Sequence, residues 1–361
     1  MAKIIRFSRA SRVFTKGLGL ILMVFFVACN SQQVAIETMR PAEISVANEI
    51  QTLLLVDRTK VDRNDWLQIG EGILTGELPF EDRAAAQESL NQLKNKLQES
   101  PRYRVLIASD RLKGNSLSAA FPQPLSWDEQ ERLLRKYEAD ALVTMEIMDS
   151  DFIITNGKRR VTRTVGTGDD AREVEVDEYY AEGVGNLKIG YRFYYPQRRE
   201  IIDQQLISET NTWQASADSK AAALAALIDK SRATRELAGL AGYDYAYKIA
   251  PLPVMLQRNF YVKAKDSEAL ERGARLAEVD DWQAAIDVWE TGLTRAGEKD
   301  AGRMALNIAV AYEVLGDFEK AREWAQKAYA NYGNKRARAY VGVIQERVRA
   351  EQLVREQMLK P

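Results

Sequence analysis

The stretch AVAYEVLGDFEKA, residues 309–321, decides how the C-terminal third of the chain is read. Its small alanines let two helices approach closely, Gly316 makes the turn between them, and the aromatic Phe318 fills the gap beyond it. The same pattern occurs once before. Asp281-Trp282-Gln283-Ala284-Ala285 aligns with Asp317-Phe318-Glu319-Lys320-Ala321 at a period of 36 residues. The earlier copy is degenerate, with Asp280 at the turn glycine and Gly292 where the later copy has Ala328. Residues 337–359 read as a capping helix with Arg338, Glu346, Arg347 and Arg349 on its outer face.

Upstream of the repeats, Pro251 and Pro253 interrupt any helix and mark a boundary, after which the pattern predicts only helices. Before them the period is that of a sheet domain over 49–250. Residues 50–56 and 103–108 are apolar strands around a helix carrying Ala86, Leu90, Leu93 and Leu97. Ser126 and Glu129 form a capping box before Leu133, Leu134 and Tyr137, and residues 141–147 follow as a third strand. Strands alternating with helices predict a largely parallel sheet at this end. Beyond Asp149 the period becomes two. Leu187, Ile189, Tyr191, Phe193 and Tyr195 alternate, residues 196–199 turn, and 201–213 return as a long hairpin. A second hairpin sets basic 158–163 against acidic 172–177 across Gly166-Thr167-Gly168. Residues 221–240 are alanine-rich and helical, ending near Gly239 and Gly242. The fold class is therefore α+β: a mixed sheet domain followed by helical hairpins over 262–361.

The N-terminus is of a different kind. Residues 1–28 carry Lys3, Arg6, Arg9, Arg12 and Lys16 without an acid, then an apolar run over 17–28, the layout of a secretory signal. Ala28 directly before Cys29, the only cysteine, resembles the lipobox cut by lipoprotein signal peptidase, which implies a diacylated Cys29 and a membrane anchor through the N-terminal lipid. Asn30 in second place, by resemblance to sorting rules, implies the outer membrane of a Gram-negative envelope, with the body facing the periplasm. Polar residues 29–48 read as a lipidated tether. Removal of the leader leaves 46 of the 51 basic residues against 52 acids, which argues against a nucleic-acid partner.

Histidine is absent, and with the one thiol acylated no imidazole-activated nucleophile and no thiolate zinc site is available. Gly70, Gly72 and Gly76 lack the spacing of a dinucleotide loop, and Asp169, Asp170, Glu173 and Glu175 do not match a 12-residue calcium loop. The reading is a protein that is not an enzyme and holds no cofactor or metal. Tyr179, Tyr180, Tyr191, Phe193, Tyr194 and Tyr195 read as one packed sheet face rather than a binding platform.

Arg40-Pro41-Ala42-Glu43-Ile44, residues 72–77 (GILTGE), Ile249-Ala250-Pro251, Arg258-Asn259-Phe260-Tyr261 and the repeat pair together resemble a family of tetratricopeptide-repeat lipoproteins of the Bacteroidota, over nearly the whole mature chain. The element order of the sheet domain is similar to the curli-secretion lipoprotein, the amino-terminal domain of TolB and outer-membrane activators of peptidoglycan synthases. The resemblance implies that Trp282, Ala285, Tyr312, Gly316, Phe318, Ala321 and Ala328 pack the repeats. It also implies a shallow partner-binding groove lined by Leu306, Asn307, Val310, Glu313 and Val314, with the apolar three exposed. Asn307 stands where peptide-carboxylate clamps place an asparagine, and reads here as an ordinary polar position. The expected function is a lipid-anchored adaptor that binds envelope proteins through the repeats. The alternative is an accessory factor of secretion or cell-wall synthesis acting through the sheet domain.

Overall fold

The computed structural model describes residues 31–60, 81–114 and 120–359. The leader, Cys29, Gly70 and the 72–77 motif lie outside them. In chain order the elements are β1 (Ser31–Arg40), β2 (Thr52–Lys60), α1 (Glu81–Leu97), β3 (Arg104–Lys113), α2 (Trp127–Tyr137), β4 (Ala141–Val165), β5 (Arg172–Tyr195), β6 (Glu200–Ala217), α3 (Lys220–Ala226), α4 (Lys230–Ile249) and β7 (Leu252–Tyr261). The helical region follows as α5 (Glu268–Ala277), α6 (Trp282–Leu293), α7 (Glu298–Val314), α8 (Phe318–Ala330) and α9 (Lys335–Met358). The chain is α+β, a mixed sheet region followed by helical hairpins.

The main sheet has the order β3-β2-β4-β5-β6, parallel among the first three and antiparallel beyond. β2 is apolar on both sides because both sides are covered. Leu53 and Leu55 face the core shared with α1 and α4, and Leu54 and Val56 face α2. The strand aromatics do not share one face: Tyr191, Phe193 and Tyr195 are core on the side of α1 and α4, where Tyr191 stacks on Tyr245 with ring centroids 4.5 Å apart. Tyr194 is buried on the opposite side against α2, and Tyr179 and Tyr180 are half-buried in the first half of β5, beside Lys158 and Arg159. The alanine-rich segment is two helices. Gly239 and Gly242 lie inside α4 rather than at its end, because α4 crosses α1 so closely that a Cβ at Gly242 would lie 2.1 Å from the Ser89 carbonyl oxygen.

Two expectations are corrected together. Residues 31–40 are not a tether but strand β1, and the segment after Pro251 is not helical but strand β7, paired antiparallel with β1 from Ser31↔Tyr261 to Arg40↔Leu252. Pro253 is tolerated because it stands at the start of a strand in a two-stranded ribbon.

The two helical hairpins repeat one another in backbone detail. Asp281 and Asp317 each cap the second helix, accepting from Ala284 N and Lys320 N. The preceding residues share the left-handed conformation, φ 80° at Gly316 and 62° at Asp280, so the degenerate copy keeps the turn without the glycine. Trp282, Ala285, Ala321 and Ala328 are buried, and Tyr312 and Phe318 half-buried. Arg347 is not on the outer face of α9: it is buried over Phe318 and paired with Glu351 at 2.6 Å.

Candidate functional site

The face of α7 expected to form the groove is not free. Leu306 is 4% exposed, Asn307 and Val310 are 0% and Glu313 2%, while Val314 is half-buried. Leu306 is buried against α8 and α9, and the rest of this face is covered by the β1·β7 ribbon. Phe260 and Val34 of the ribbon pack into the cluster built by α5, α6 and α7. The polar residues of α7 bind backbone: Tyr261 N donates to Asn307 Oδ1 and Asn307 Nδ2 donates to Tyr261 O, both at 2.7 Å. One turn and two turns earlier, Arg303 donates to the Lys263 carbonyl at 3.0 Å, and Asp300 accepts from the amides of Lys265 and Asp266 at 2.9 and 2.8 Å. Such a ladder is what a helix offers an extended peptide, and the peptide held here is the chain's own. Asn307 thus has the partner that its ordinary-polar reading did not foresee.

Glu313 continues the contact. Arg258 of β7 reaches it through two hydrogen bonds of 2.8 Å, a bidentate pair, and Tyr340 of α9 donates to the same carboxylate. Burial, then the Glu313 charge, pushes the Tyr340 phenol far above its usual value. Burial works against the Arg258 charge, but Glu313 outweighs it and holds the guanidinium above its usual value. α9 closes the seat from the other side, with Thr38 donating to Glu351 at 3.3 Å and Gln357 bridging both backbone groups of Ala42 at 2.9 and 3.1 Å.

A second candidate is the three-stranded arm. β2 pairs β4 only as far as Met145, yet β4 continues to Val165 with β5 on one side. At about 3.3 Å per residue, some 65 Å of β4 runs past its last contact with β2. The arm carries Ile153 and Ile154, 52% and 50% exposed, and its tip is cross-linked by charge: Lys158–Asp177 at 2.6 Å falls between the two segments expected to face each other, and Arg159–Glu178 at 2.6 Å and Arg163–Glu178 at 3.1 Å use an acid just beyond them. The two arginines hold the Glu178 carboxyl below its usual range, Arg159 first. Among the described residues, no three or more carboxylates or thiols gather as a metal ion would need.

Sequence reasoning missed the fully buried Glu146, at the carboxyl end of the parallel strands. It accepts from Arg58 at 3.0 Å, Thr144 at 2.8 Å and Tyr194 at 2.8 Å, and pairs with Arg192 at 2.6 Å. The one available signal was an acid inside the apolar run LVTMEIM, residues 142–148. The cluster ties β2, β4 and β5 together. A separate open cleft of about 1030 Å³ lies between α1, α4 and β6, edged by Arg40, Glu88, Tyr243, Tyr247 and Lys248.

Residues 50–261, more than half of the chain, match the family described as a domain of unknown function (DUF8603). The chain belongs to that family. Residues 271–350 match a second, a domain of unknown function (DUF6340), so the break between the matched segments falls after β7. No curated protein matches. Among solved structures, the PelC dodecamer from Paraburkholderia phytofirmans is 11% identical over 60% of this chain and 98% of its own, with a TM-score of 0.24. A hemagglutinin homologue from Helicobacter pylori is 15% identical over 56% of this chain and 82% of its own, with a TM-score of 0.21. No helix of the described residues is long and apolar enough to cross a membrane.

Proposed function

We propose that the protein is a lipid-anchored, non-catalytic component of a bacterial envelope that offers other proteins a binding surface, and that this surface is the β4-β5-β6 arm rather than the groove of the helical repeats. The anchor is a diacylated Cys29 and the location the periplasmic side of the outer membrane, a reading supported by the basic, apolar, Ala28-Cys29 order of the N-terminus. The observation that carries the choice of surface is the occupied face of α7, set against the exposed Ile153 and Ile154 on a strand whose outer edge has no ladder partner past Met145 among the described residues. Free edges recruit extended segments of other chains. An arm on the sheet region also favours the second reading, an accessory factor of secretion or wall synthesis acting through that region.

The test is site-specific photo-crosslinking in intact cells. A crosslinker at Ile154 should trap a discrete partner, and one at the exposed Leu315 of the α7–α8 turn should not. Crosslinks confined to Leu315 would return the function to the helices.

A further inference from the structure

We propose that the ribbon end at Ser31 and the start of α9 form a docking face for anionic lipid headgroups of the bilayer that holds the Cys29 anchor, an inference that rests on the lipid-anchored reading. β1 begins at Ser31, two residues past Cys29, and two residues span at most about 7 Å. Ser31 itself therefore lies within about one Debye length of the membrane surface, and the side chains packed around it are the first of the folded chain to meet the headgroup charge.

What surrounds it is basic. Ser31 pairs with Tyr261, and two guanidiniums, those of Arg303 and Arg336, each lie 5.3 Å from the centroid of its ring. Lys263 follows two residues on, and α9 opens with Lys335, Arg336 and Arg338, all exposed. Among the described residues none of Lys263, Lys335, Arg336 and Arg338 has an ion pair, although basic residues elsewhere in the chain, on the arm and on α2, are widely paired. The neighbouring acids are fewer and partly engaged: Asp300 is held by Arg303 and two backbone amides, Glu271 accepts from the Ala264 amide and Asp266 lies 3.9 Å from Lys265, while Glu298 stands beside Gly333.

The first turn of α9 has no acidic residue. Cations there oppose the helix dipole, which favours anions at an N-terminus, so their presence costs stability that an anionic surface restores. Half-buried Tyr261 and Tyr332 complete the face with the ring type that favours the membrane interface.

The full lipidated chain is reconstituted into vesicles of phosphatidylcholine, alone or mixed with phosphatidylglycerol, and treated with an amine-reactive reagent. Modification of Lys263, Lys335 and, as a reference on the main sheet, Lys188 is followed by mass spectrometry. Lys263 and Lys335 should react about fivefold more slowly on the anionic vesicles, an effect erased by added salt, while Lys188 reacts alike on both. In the exposed double variant Lys335→Glu/Arg338→Glu the slowing of Lys263 should disappear. The same spectra report the mass of the Cys29 peptide. An unmodified Cys29 overturns the anchor and the docking face with it; a lipidated chain whose Lys263 and Lys335 react equally on both vesicles overturns the docking face alone.

Discussion

Replacing Asn307 by alanine separates a filled groove from an open one. Its side chain both donates to and accepts from Tyr261, at 2.7 Å each, and it is fully buried. The substitution leaves a backbone N–H and a backbone C=O without partners at a packed seam, and each stranded group costs about 1–3 kcal/mol. The sum centres on about 3 kcal/mol after partial relaxation. At about 2.1 cal/mol/K per residue over roughly 330 mature residues, that is a fall in Tm of roughly 4–5 °C. A polar residue on an open groove would change stability by no more than about 0.5 kcal/mol. Thermal unfolding of the full chain by circular dichroism measures the difference, with Gln33→Ala, on the exposed side of β1, as the neutral control. A Tm for Asn307→Ala within about 2 °C of the parent would refute the reasoning, because it would mean that Tyr261 does not depend on α7.

Other perturbations follow from the same contacts. Glu313→Ala strands the half-buried Arg258 and should destabilise by about 3 kcal/mol in a denaturant titration, whereas an exposed acid would cost almost nothing. Gly242→Ala, which at a solvent-facing helix position would stabilise by up to about 1 kcal/mol, should instead destabilise by more than about 1 kcal/mol, since the new Cβ meets the Ser89 carbonyl. With the crosslinker moved to the exposed Thr155, Ile153→Ser/Ile154→Ser should leave stability within about 0.5 kcal/mol and abolish crosslinking from the arm. The Glu178 carboxyl, lowered from 4.5 by Arg159 and Arg163, lends the arm stability that is complete above pH 4.5 and is lost as pH falls through its depressed value; a carbon-detected NMR titration showing a midpoint at or above 4.5 would contradict this.

The elements legible in the sequence are those whose signal is local. The parallel strands announced themselves as apolar runs between helices, the hairpins as alternation around turn residues, and the helical repeat as a 36-residue echo that extends to matching aspartate caps. β1 was hidden because its partner lies more than 200 residues away. SQQVAIETMR also offers only Val34, Ile36 and Thr38 as an inward stripe, too weak to outweigh its polar residues. With β1 unseen, the prolines at the start of β7 read as the end of the sheet region, and the inner face of α7 reads as free. The interior glycines of α4 misled for a related reason. Gly242 punctuates a helix in sequence, but it is chosen for the approach of α1, a contact that only the tertiary fold supplies. Of the residues assigned to the groove, Asn307 and Glu313 do recognise an extended segment; the sequence did not reveal that the segment is internal.

The central claim is that the chain's own ribbon occupies the helical face. Amide hydrogen exchange on the full chain, resolved over residues 33–39 and 254–260, tests it most directly. The account predicts that the hydrogen-bonded amides of both strands exchange at least about 100-fold more slowly than in free peptide, an opening free energy above about 2.8 kcal/mol, and that β1 and β7 lose protection together. Exchange of residues 33–39 at the rate of an unstructured tether, with α7 still protected, would contradict it.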